Sequence, residues 1–180
     1  AGICRLQLGR LRRLAGDDGP AMAEQRKAAP ALEKAGRFVQ AAEASIELGD
    51  MLLVQGEWDR ALPEFVRALK WTEQADLPPA ADSRLMALRG IAASKQAQGK
   101  IDEALSWYQR LESEAVEAWA DQEVYTARSS RAGLLSLAGR NAEAVPSWAA
   151  CLGSARINAD AFPDSPTIGS QAPYFVVPRN

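Results

Sequence analysis

The chain contains no histidine. That absence removes the commonest general base, the serine and cysteine triads and the usual zinc ligands together. Cysteine is scarce too, with Cys4 and Cys151 near opposite ends of the 180 residues. A disulfide is therefore not expected, and the sequence reads as cytoplasmic. No apolar run approaches the ~20 residues that cross a bilayer, and no secretory leader is present. The net charge of −2 gives no general attraction for nucleic acid or an anionic membrane.

Motifs for catalysis are thin as well. Gly99-Lys100 lacks the preceding glycine of a phosphate loop. The GDDG stretch at 16–19 has neither the alternating oxygen ligands nor the late glutamate of a calcium loop. It reads instead as an acidic turn at a helix start. Glu112 and Glu114 read as a solvated helix face. No catalytic, cofactor-binding or metal-binding residue is assigned, and the chain is read as non-enzymatic. It starts at Ala1 inside a helical pattern, so it reads as a piece of a longer protein, a processed form or a trimmed product.

What the chain does have is a repeat. Gly16, Gly56, Gly99 and Gly139 recur at spacings of 40, 43 and 40, and a period of this size is the signature of a solenoid. Seven positions before each glycine stand the small residues Gly9, Gly49, Ala92 and Ala132. Five positions after it stand Ala21, Ala61, Ala104 and Ala144, and nine after it Gln25, Phe65, Tyr108 and Trp148. Ala28, Ala68, Leu111 and Cys151 follow at twelve. Offsets of five, nine and twelve share one helix face, because 3.6 residues make a turn. The alanine lets a neighbouring helix come close, the aromatic fills the space beyond it, and the glycine supplies the turn.

The pattern predicts an all-α fold of eight helices. They run at about 2–15, 18–29, one between 31 and 55, 57–76, 82–98, 101–118, 121–138 and 141–154. Pro30 is expected to break the second helix and Pro78-Pro79 to form a linker. Pro63 and Pro146 fall near helix starts, where proline costs little. Arg128 and Arg131 interrupt the core pattern of the seventh helix, which suggests that the array ends or changes packing there. The division is thus a repeat array over 1–154 and a proline-rich extended tail over 155–180. The tail's Tyr174, Phe175 and Val177 are too apolar for a plain linker, and are expected to dock on the array or on a neighbouring copy.

These blocks resemble the tetratricopeptide repeat superfamily, in its long-repeat variant of about 40 residues. The resemblance covers roughly 1–154. The chain lacks the family's early tryptophan, and Gln25 stands where an aromatic belongs. The resemblance implies an α-solenoid of about four helix-turn-helix units whose first helices line a concave wall. It implies ligand contacts at Leu6, Arg10 and Arg13; Ile46, Asp50 and Leu53; Arg89, Ala93 and Gln96; and Ser129, Gly133 and Ser136. The positions six before each glycine, Arg10, Asp50, Ala93 and Gly133, hold no asparagine, so the carboxylate clamp of chaperone-binding members is not expected.

The implied function is a protein–protein interaction module that takes a peptide or partner segment in the groove. The alternative is a regulatory, sensor or oligomerising segment of a larger bacterial-type signalling or transcription-regulating protein. The cluster Arg5, Arg10, Arg12 and Arg13 could hold an acidic or phosphorylated segment, or could face a neighbouring element at the end of the array. A second copy of the chain is among the partners this reading allows.

Overall fold

A computed structural model describes the backbone of residues 1–75 and 78–161, and the side chains of 1–75 and 81–152. Eight helices follow in order: α1 Gly2–Leu14, α2 Asp18–Lys34, α3 Phe38–Val54, α4 Trp58–Ala75, α5 Pro78–Ala97, α6 Ile101–Glu117, α7 Asp121–Leu137 and α8 Asn141–Ala161. Among the described residues there is no strand. Each helix packs on its sequence neighbours, so the array is held by local contacts, as in a solenoid. The odd-numbered helices also touch one another along their backbones, α1 with α3, α3 with α5 and α5 with α7, whereas among the described residues the even-numbered helices meet only through long side chains. The layer of odd-numbered helices is therefore the tighter, inner one.

One turn closes all six of the described helix junctions. Gly16, Gly36, Gly56, Gly99 and Gly139 all have φ between 69° and 83°, and Trp119 has φ 57°. At each, two backbone bonds close the preceding helix. After α1, Gly16 N–H donates to the Arg13 carbonyl at 3.0 Å and Asp17 N–H to that of Arg12 at 2.9 Å. The same pair recurs after α2, α3, α5, α6 and α7. This is the Schellman ending, which satisfies carbonyls the helix leaves open and needs one left-handed residue.

The repeat register is seen in the packing. Ala21, Ala61, Ala104 and Ala144 are buried, as are Gly9, Gly49, Ala92 and Ala132. Phe65 is fully buried between two glycines. A Cβ placed on Gly49 of α3 would lie 2.7 Å from its ring, and one on Gly90 of α5 only 2.3 Å. Gln25 fills the equivalent space in the first repeat, against Gly9. Its amide donates to the Leu6 carbonyl at 3.4 Å and to Glu47. Trp71, which the periodicity did not single out, is buried and ties α4 to α2 through a 2.9 Å bond from its indole N–H to Glu33.

Several boundaries depart from the sequence reading. Helix α2 runs through Pro30 to Lys34. The proline lies on the exposed side, so its ring meets solvent, while buried Ala28, Ala29 and Leu32 hold the helix in place. Helix α5 begins at Pro78, a proline at the first helical position, where its missing N–H is not needed. Helix α8 continues past 154 to Ala161, so the array's last helix extends into the segment read as tail. Trp148, expected to be buried, is 40% exposed because no described helix packs on the far side of α8. Arg128 and Arg131 do not end the array. Both reach Glu112 on α6, Arg128 at 2.7 Å, and α8 packs on α7 beyond them. Tyr174, Phe175 and Val177 lie outside the described residues.

Candidate functional site

The inner layer sorts the twelve expected wall residues into two groups. Leu6 and Ile46 are core side chains, and Ser129 and Gly133 are buried as well. These four support the wall from behind and cannot face a ligand. Three of them stand ten positions before the repeat glycine, where the short or apolar side chain turns between neighbours, whereas the long Arg89 at the same offset reaches the surface. Arg10, Arg13, Asp50, Leu53, Arg89, Ala93, Gln96 and Ser136 reach the surface in whole or in part.

Charges on that surface are tied from helix to helix. Arg10 on α1 reaches Glu43 at 2.8 Å and Glu47 at 2.5 Å, both on α3. Arg89 on α5 reaches Glu123 on α7 at 2.9 Å. Burial pushes the Glu47 carboxyl above its usual range, against the pull of Arg10. Gln96 accepts the buried Tyr108 hydroxyl at 3.1 Å, so it serves the core as well as the wall.

Asp50 differs from its neighbours. It lies on α3 between Arg13 and Arg89 and makes no hydrogen bond or ion pair within reach among the described residues. Burial raises its pKa above the ordinary 3.8, and the two guanidinium groups pull against that shift. A carboxyl raised in this way binds a proton more readily folded than unfolded, so ionisation costs stability above the unfolded value. Asp50→Asn is therefore expected to raise the melting temperature at pH 7. The gain should shrink as pH falls towards 4 and vanish below it. Paired thermal melts from pH 3 to 8 measure this, and a gain unchanged at pH 3 would count against it.

The basic cluster is largely neutralised. Arg5 and Arg12 share Glu24, at 3.0 and 3.6 Å, and Arg10 is held by α3. Arg13 alone of the four has no ion pair with a described residue. Among the described residues no group of His, Cys, Asp or Glu is placed to hold a metal ion, and no helix is long and apolar enough to cross a membrane.

Helix pairs closed by identical turns, with small and aromatic residues in fixed register, make this a tetratricopeptide-like α-solenoid. No family model and no curated protein sequence matches the chain. Solved structures do. Aspartyl phosphate phosphatase F from Bacillus subtilis superimposes with a TM-score of 0.76 at 12% identity, over 89% of this chain and 42% of that one. A Rap protein complexed with competence and sporulation factor superimposes with a TM-score of 0.71 at 16% identity, over 89% of this chain and 43% of that one. At such identities the likeness is one of fold. The chain spans less than half the length of either structure.

Proposed function

We propose that the chain is a non-enzymatic protein-interaction module that takes a peptide or partner segment along its inner wall. The observation that carries this reading is the row Arg13, Asp50 and Arg89. Three successive inner helices present alternating charges there, and the central carboxylate is attracted by Arg13 and Arg89 without forming a close ion pair or hydrogen bond among the described residues. An extended segment crossing these helices would meet one group per repeat, which is how a solenoid reads a ligand. The neighbour complexed with competence and sporulation factor supports a partner of this kind, and the other neighbour's name, a phosphatase, is not matched by a catalytic group here. Because the chain spans less than half of each neighbour, we further propose that it is the regulatory segment of a longer protein.

Selection of displayed peptides on the chain tests the groove. Sequences recovered on the wild type should lose roughly tenfold or more in affinity on Asp50→Lys or Arg89→Glu, the scale of removing one polar contact of about 1.5 kcal/mol. Because Arg89→Glu also breaks the pair with Glu123, the neutral variants Asp50→Asn and Arg89→Gln should lose affinity too while remaining folded by circular dichroism. Selected peptides that ignore these substitutions but lose affinity on changes to α4 or α6 would reject the inner wall as the site.

A further inference from the structure

Five of the six left-handed turn residues are glycine, and the sixth is Trp119. The turn between α6 and α7 has the same two closing bonds as the others, Trp119 N–H to the Val116 carbonyl at 3.2 Å and Ala120 N–H to that of Ala115 at 2.9 Å. Nothing in this geometry asks for an indole. A left-handed conformation is unfavourable for a bulky residue and free for glycine. Nor does the core ask for it, since Trp119 is 90% exposed. The chain thus accepts backbone strain and a large exposed apolar surface at one residue, a combination that marks functional positions.

The surroundings say what would cover it. Glu117 and Asp121 stand two residues before and after Trp119, both are exposed, and neither has an ion pair among the described residues. Val116, also exposed, extends the apolar surface by one helical turn. Two other tryptophans, buried Trp71 and half-buried Trp107, carry a guanidinium on the ring. Arg67 lies over Trp71 with its guanidinium carbon 6.0 Å from the ring centre, and Arg110 over Trp107 at 5.4 Å. Among the described residues no cation lies over Trp119. An open indole face between two unpaired carboxylates attracts a cation from outside and repels phosphate.

We propose that Trp119 anchors a second interaction surface, at the α6–α7 edge of the array, which takes a lysine- or arginine-rich segment of a partner protein. A guanidinium or ammonium stacks on the indole, Glu117 and Asp121 pair with flanking cations, and Val116 meets an apolar side chain. This surface is separate from the inner wall and does not depend on it.

The test uses the 180-residue chain labelled with nitrogen-15, whose five tryptophans give five indole N–H resonances. The Trp119 resonance is assigned by its loss in Trp119→Gly. The probes are the blocked peptides acetyl-Lys-Arg-Leu-Arg-Lys-amide and acetyl-Glu-Asp-Leu-Asp-Glu-amide, at low ionic strength. The basic peptide should shift the Trp119 resonance saturably, and the acidic one should not. Trp119→Gly, and separately Glu117→Gln with Asp121→Asn, should weaken binding of the basic peptide at least fivefold, while Asp18→Asn leaves it unchanged. Trp119→Gly should also raise the melting temperature, by about 2–4 °C for relief of one strained residue. No binding at millimolar peptide, equal shifts from both peptides, undiminished binding to Trp119→Gly, or a lower melting temperature for that variant would each overturn the proposal.

Discussion

Phe65→Ala is expected to lower the unfolding free energy by about 3–5 kcal/mol, the range for deleting a fully enclosed core aromatic. The ring fills the space between α3 and α5 and has no exposed surface. Its removal leaves a void that two glycines cannot fill, because neither has a side chain to move inward. Two walls of that void are helix backbone at Gly49 and Gly90, so relaxation there should recover little. Urea denaturation followed by circular dichroism measures the change. A loss under 1 kcal/mol would show that Phe65 is not the keystone between these repeats.

Gly90→Ala should destabilise by about 1–3 kcal/mol, which reverses the usual sign. Replacing a glycine inside a helix by alanine ordinarily gains roughly 0.5–1 kcal/mol from reduced backbone freedom. Here the new methyl would sit 2.3 Å from the Phe65 ring, and the ring cannot retreat because Gly49 bounds it on the other side. Overpacking should win over propensity. The double variant Gly90→Ala with Phe65→Leu, in which the smaller side chain makes room, should recover part of the loss. A non-additive recovery in that cycle is the diagnostic, and a simple sum of the two single losses would mean that the contact is not as tight as the structure shows.

The same ring explains how far the sequence could be read. Small and aromatic residues at fixed offsets from each glycine are a local record of close helix approach, so the repeat, the eight helices and the buried alanines were legible from spacing alone. Gly90 was not, because it belongs to no periodic row and its role exists only where Phe65 arrives from another helix. Pro30 was misread for a related reason. A local rule says that proline ends a helix, but burial of Leu32 and its neighbours decides otherwise once the ring points to solvent. At the candidate site the resemblance named residues from both faces of the odd-numbered helices. Arg10, Asp50 and Arg89 come to the surface, while Leu6 and Ile46 turn into the core. Which arginines are already engaged depends on Glu24, Glu43 and Glu47, partners that distance along the chain does not reveal. Trp119 announces its turn only by place, midway between Gly99 and Gly139 as Gly36 is between Gly16 and Gly56, because its residue type suggests no left-handed backbone.

Because the left-handed residues fall at 16, 36 and 56, and again at 99, 119 and 139, the chain is quantised in length. One residue added inside α3 would rotate everything beyond it by about 100° and carry Gly49 away from Phe65. The one length difference between repeats avoids this. Helix α5 has 20 residues where α3 and α7 have 17, and counted back from its closing glycine the surplus sits at its start. Joining Gly16 directly to Glu57 would remove two whole helices, yet it would lead from an inner helix into an outer one through the same turn. The reach of the inner wall can therefore change in steps of one helix pair, by duplication or excision at these turns, while its curvature stays the same.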